Sequence, residues 1–158
     1  MLAGIELRLA LEDLYARYAA CLDEARYDDW IDLFTEACFY RVVPRENFER
    51  DLPLSTMMAE SRGMLRDRVY GITTTLYHQP YYQRHLVGGL FIRGVEADAV
   101  RTQANYAVFR TKQNEHSEVF NVGRYLDTVV MDGDRLRFRE KLCVFDSELI
   151  PNSLIYPV

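Results

Sequence analysis

The chain has 158 residues, 49% of them apolar and 27% charged, the make-up of one ordinary globular domain that buries roughly two-thirds of its unfolded surface. A formal net charge of -5 argues against general nucleic-acid binding, which needs a basic surface to neutralise phosphates. No apolar run approaches the ~20 residues of a membrane span, and the opening MLAGIELRLALED carries Glu6, Arg8, Glu12 and Asp13 through its apolar positions, unlike a secretory leader. Cys21, Cys38 and Cys143 are odd in number and far apart, which fits free thiols in a reducing cytoplasm better than a disulfide frame. All 19 basic residues are Arg except Lys112 and Lys141. With 13% aromatics, this suits protein interfaces, although codon usage in a GC-rich genome would give the same bias.

In chain order, Leu7, Leu11, Leu14, Tyr15, Tyr18 and Leu22 recur at the spacing of a helix with one apolar stripe. A second short helix is expected from Asp28 as N-cap, with Tyr27, Trp30, Ile31 and Phe34 on one side. Residues 37–43 read as a strand stopped by Pro44, and residues 45–51 as a charged exposed loop. Residues 54–59 fit either a short strand or the start of a helix. Met64, Leu65, Val69 and Ile72 predict a helix over about 61–72, followed by an aromatic loop over 73–83. Four long β-type runs then occupy about 84–96, 99–112, 117–131 and 135–146, with Gly88-Gly89 as a bulge or a close backbone approach and Asp132-Gly133 as a type I′ hairpin signal. In the last run Leu136, Phe138, Leu142 and Val144 are expected to face the core, and Arg137, Arg139, Lys141 and Cys143 water or a partner.

Helices followed by a long-stranded sheet predict an α+β fold, a curved antiparallel sheet wrapped around the N-terminal helices, in a single domain over 1–158. The expected filling is Tyr15, Tyr18, Trp30 and Phe34 packed against sheet residues such as Phe120 and Val122. Helix-plus-curved-sheet domains include pocket enzymes such as isomerases and dehydratases, which use an Asp or His base with Tyr donors to an oxyanion. The candidates for such a site are Tyr15, Tyr18, Asp23, Tyr40, His85 and Tyr125. Each also has a plain reading: aromatic filling, a solvated helix-end carboxylate, a hydrogen-bonded structural His. His78, His85 and His116 lack the spacing of a metal site. No nucleophile elbow, dinucleotide-binding glycine motif or phosphate loop is present.

Several segments together resemble the small (β) subunits of Rieske-type aromatic-ring-hydroxylating oxygenases. They are Leu14-Tyr15, Tyr18-Ala19, Asp28-Asp29-Trp30, Leu33-Phe34, the run from Cys38 to Val42, the run from Met64 to Val69, Tyr82-Gln83-Arg84-His85, the run from Gly123 to Asp127, and Asp146-Ser147. The runs Arg45 to Phe48, Asp67 to Gly71 and Ile150 to Pro157 are most similar to subunits of salicylate- and benzoate-type hydroxylases. The resemblance implies a nuclear-transport-factor-2-like cone and a non-catalytic structural subunit. It places no cofactor in this chain: a 2Fe-2S Rieske cluster and a mononuclear iron would sit on a partner large (α) subunit, fed through a ferredoxin or reductase. It also implies a homotrimer within a hexamer of three large and three small subunits, acting on an aromatic acid. A stand-alone isomerase or dehydratase and a ligand-binding protein remain the competing classes. The expected subunit contact is Arg84, His85 and the apolar tail residues Leu149, Ile150, Leu154, Ile155 and Tyr156, unless the tail folds back on its own domain.

Overall fold

The computed structural model describes residues 4–149 and 154–158. Helix α1, Gly4–Asp23, buries the stripe Leu7, Leu11, Leu14, Tyr15, Tyr18 and Leu22, as its 3.6-residue period requires. It ends at Ala25, which has φ 54°, and Arg26 donates back to the Cys21 carbonyl, a helix-terminating turn. Helix α2, Tyr27–Ile31, therefore begins one residue before the expected N-cap; Asp28 lies in its first turn instead. Strand β1, Phe34–Pro44, follows. The segment expected as a charged loop is in part a short helix, α3, Arg45–Glu49, carrying i,i+4 pairs Arg45–Glu49 and Arg50–Glu46. Strand β2, Met57–Ala59, resolves the ambiguous stretch as a strand. Helix α4, Arg62–Tyr70, is capped by the Ser61 hydroxyl, which accepts from the Met64 N–H, and it runs into a π-helical turn at Gly71–Thr75. Strands β3 (Tyr81–Val95), β4 (Ala99–Lys112), β5 (Glu118–Asp132) and β6 (Arg135–Phe145) complete the regular elements among the described residues.

The six strands form one sheet in the order β2-β1-β6-β5-β4-β3. All neighbouring pairs are antiparallel except β1–β6, which is parallel because the chain crosses the whole sheet between them. Register shifts at Gly88/Phe91, Val108/Phe109 and Thr128/Val129 are bulges, which bend and coil a sheet. Gly89, at φ 64°, makes the first of these possible. In the β5–β6 hairpin Asp132 pairs with Arg135, and of the two loop residues only Gly133 has positive φ. That is the type II′ pattern, not the type I′ expected.

The bulge opposite Thr128 also overturns the strict alternation expected for β6. Thr128 pairs with Glu140 while Val129 pairs with Phe138, so Arg139 is an extra residue and the faces exchange. Phe138, Lys141, Cys143 and Phe145 point into the core, all at most 1% exposed. Inside the cone Trp30 meets Phe34 at 5.2 Å and Tyr40 at 5.7 Å between ring centroids, and Tyr18 meets Phe138 at 5.6 Å. The helix aromatics thus pack on Tyr40, Tyr125 and Phe138 rather than on Phe120 and Val122. Phe120 lies under the Arg110 guanidinium, and Val122 is on the outer face, exposed.

Candidate functional site

The candidate residues separate into three groups. The first is built on Lys141, whose side chain is wholly buried, as is that of Asp127. The ammonium donates to Asp127 Oδ2 at 2.9 Å and lies 3.4 Å from the Tyr125 ring centroid, with Tyr18, Phe138 and Tyr15 at 4.3, 4.6 and 4.9 Å. Asp127 also accepts from the Tyr15 hydroxyl and the Leu142 N–H, and Tyr15 shares a 2.9 Å hydrogen bond with Thr102. Burial pushes the Asp127 carboxyl above the usual carboxylate range, against the pull of Lys141. A charged pair this deep persists because Asp127 accepts from Lys141, Tyr15 and the Leu142 N–H and four rings face the cation. Neither Lys141 nor Asp127 stood out in the sequence, since one bulged residue decides that Lys141 points inward.

The second group lies on the other side of Tyr18. The hydroxyls of Tyr18 and Tyr40 and the thiol of Cys143 all donate to the carbonyl oxygen of Val158, at 2.5, 3.1 and 3.4 Å. The Tyr40 hydroxyl in turn accepts from the Val158 N–H at 3.1 Å. Burial holds both phenols well above their ordinary value and pushes the Cys143 thiol up to about 12. The hydroxyl of Tyr125, stacked 4.2 Å from Tyr106, is buried without a hydrogen-bond partner.

The third group joins the end of α1 to the edge strand β3. Asp23 accepts from His85 Nδ1 at 2.6 Å and from the His85 N–H at 3.0 Å, and the Arg84 guanidinium lies 3.8 Å away. Asp23 and His85 are therefore brought together, and Tyr15 lines the same groove as His85, whereas Tyr40 is bonded to Val158. The His85 ring is fully buried, although a 460 Å³ groove runs between α1 and β3 beside it. His85 consequently offers no side chain to a partner, which corrects its place in the expected contact surface. Arg84 is 72% exposed and does.

The tail also divides. Leu149 is exposed, and Ile150 lies outside the described residues. Leu154, Ile155 and Tyr156 are half-buried against the chain's own core. Arg68 donates to the carbonyls of Leu154 and Ile155, both at 2.8 Å, and His78 Nε2 bonds the Tyr156 hydroxyl. This stretch folds back in cis. Among the described residues no three His, Cys, Asp or Glu side chains gather as metal ligands, and no helix is long and apolar enough to cross a membrane.

The model of the ring hydroxylating beta subunit family matches residues 17–152. The chain belongs to this family. It is 34% identical over 145 residues to the anthranilate 1,2-dioxygenase small subunit of Burkholderia cepacia, covering 92% of this chain and 90% of that one. It is 28% identical over 143 residues to a terephthalate 1,2-dioxygenase terminal oxygenase component β subunit of Comamonas, covering 90% and 93%. Among solved structures, a β subunit ascribed to an aromatic-ring-hydroxylating dioxygenase of Novosphingobium aromaticivorans superposes with a TM-score of 0.86 at 36% identity, covering 94% of this chain and 95% of that one. The cone is thus the fold of a ring-hydroxylating oxygenase β subunit.

Proposed function

We propose that this β subunit is a non-catalytic support for a large subunit that carries the Rieske cluster and the mononuclear iron of an oxygenase acting on an aromatic acid in the cytoplasm. The observation that carries the reading is the filled cone. The place where a pocket enzyme of this fold would hold substrate is taken up by Trp30, Tyr18, Phe34, Tyr125, Phe138 and Val158, each fully buried. The Asp23–His85 pair has its imidazole fully buried. Both relatives are named for oxygenases of carboxylated aromatics, which supports the aromatic-acid class.

The same reading assigns the outer face of β3–β5 to subunit contacts within a trimer that supports three large subunits. Leu86, Ala107 and Val122 lie directly across from one another, as do Arg84, Phe109 and Val119, and Leu86, Val119 and Val122 are exposed. An apolar strip with an arginine at its edge suits an interface.

Co-purification from the native host tests the proposal. A tagged chain is expected to bring down a larger iron-containing protein, to have no oxygenase or isomerase activity alone, and to raise the turnover of that protein when added to it. A chain that purifies without any larger iron protein, or that turns over substrate by itself, overturns it.

A further inference from the structure

A core needs no hydroxyl groups at its centre. Yet Tyr18 from α1, Tyr40 from β1 and Cys143 from β6, all at most 0% exposed, aim their donors at one oxygen atom. Left without an acceptor, each buried donor would cost about 1–3 kcal/mol, so the three positions make sense only around an oxygen. Aromatic rings surround that point: Trp30 is 6.3 Å from Tyr18 and 5.7 Å from Tyr40 between centroids, and Tyr125 is 5.8 Å from Tyr18. Convergent donors in an apolar, aromatic enclosure are the make-up of a small-molecule site.

What fills it is the stretch Pro157-Val158, both residues buried. This stretch belongs to no strand or helix. Outside the cone the residues before it are held by the Arg68 guanidinium on the Leu154 and Ile155 carbonyls, by the His78–Tyr156 bond, and by Tyr156 packed 4.6 Å from Tyr81. Leu154 to Tyr156 remain half-buried. A segment held by a handful of contacts and no strand ladder opens at lower free energy than the sheet beneath it.

We infer that Pro157-Val158 is an intramolecular ligand, and that the Tyr18–Tyr40–Cys143 site accepts in its place a small flat aromatic carboxylate whose oxygen takes the position of the Val158 carbonyl. The two phenols and the thiol would each donate to that oxygen, and the ring would lie among Trp30, Tyr125 and Phe34. Ligand and tail are then exclusive occupants, so the apparent affinity is the intrinsic one reduced by the fraction of chains with the tail displaced. The inference concerns this chain alone and stands whether or not a large subunit binds it.

The test uses the full 158-residue chain and 4-fluorobenzoate, titrated by fluorine NMR. Arg68→Ala removes the outer anchor without touching the donors, and is expected to raise the affinity at least tenfold over the unsubstituted chain. Tyr40→Phe in that background is expected to lower it again at least tenfold, since a site built to hydrogen-bond an oxygen loses affinity when a donor is removed. Saturating 4-fluorobenzoate should also speed exchange of the Val158 amide, which is bonded to Tyr40 only while the tail is seated. Far-UV circular dichroism reports whether each variant is folded. If Arg68→Ala does not fold, Tyr156→Phe, which removes only the His78 bond, takes its place with the same expectation. No binding in the anchor variant, affinity unaffected by Tyr40→Phe, or an unchanged Val158 amide at saturation would each overturn the inference.

Discussion

The inside and the outer face of the same sheet are made of similar residue types put to opposite use. On the inner face, Tyr106 and Tyr125 are buried, Tyr125 against Tyr15 and Tyr18 of α1, and even a lysine is enclosed. On the outer face, Leu86, Phe91, Val119 and Val122 stand exposed on the same strands. Alternation along a strand puts successive side chains on opposite faces. An antiparallel sheet that covers one face normally makes the other polar. Apolar residues on both faces of β3–β5 therefore point to two surfaces to be covered, one by this chain's own helices and one by a neighbour. The inner face should govern stability, and the outer face association.

The largest effect should come from Trp30→Ala. It removes a fully buried indole touching Tyr18, Phe34 and Tyr40 and should cost ~3–5 kcal/mol, lowering Tm by roughly 6–20 °C. Calorimetry showing an unchanged Tm would contradict the packing described for the cone.

Lys141→Met should cost a similar ~3–5 kcal/mol, because it strands the Asp127 carboxylate in the core. Replacing both partners, Lys141→Met with Asp127→Leu, should recover most of the loss, with Tyr15 keeping its bond to Thr102. The pH dependence follows from the raised Asp127 carboxyl. The folded chain holds that proton more tightly than the unfolded one, so the contribution is full below the ordinary carboxylate value and declines as pH rises through the folded value. Without Lys141 the folded value climbs further. The single variant should therefore be nearest to the unsubstituted chain in acid and fall behind towards neutral pH, which denaturant titrations across pH 4–7 would detect. A deficit that does not change with pH would show that Lys141 does not alter how tightly the folded chain holds the Asp127 proton.

A smaller loss, ~1–3 kcal/mol, is expected for Gly123→Ala. A Cβ there would sit 2.0 Å from the Val144 carbonyl oxygen and 2.7 Å from Phe145 Cα, and neither backbone atom can rotate away. Urea titration measures it, and a neutral result would mean that β5 and β6 can separate at this point without loss.

The smallest stability effect marks the outer face. Leu86→Ser with Val119→Ser should change stability by no more than about 0.5 kcal/mol per site yet weaken self-association in sedimentation experiments. If self-association is unaffected while stability drops, the two faces do not divide the work as argued.

Periodicity alone determined α1, α4 and the four long strands, because an apolar stripe at 3.6 residues or a β-type run between polar breaks leaves few ways to bury it; α3, with no buried residue, carries no such stripe. Leu7 to Leu22 and the segments of β3 to β6 were legible for that reason, as was the bulge at Gly88-Gly89, where glycines interrupt a strand. Residue types also placed Tyr18, Trp30 and Phe34 in the core. Tertiary structure alone decided which face of β6 is inside: the extra residue Arg139 exchanges the faces, and the sequence carries no mark of a bulge without glycine. That one shift turned Lys141 and Cys143 inward and created both buried polar groups. The pairing of Asp23 with His85, 62 residues apart, and of Tyr18 with Val158, 140 residues apart, is likewise a product of chain closure. Local spacing cannot encode contacts that exist only once the sheet has curved around α1.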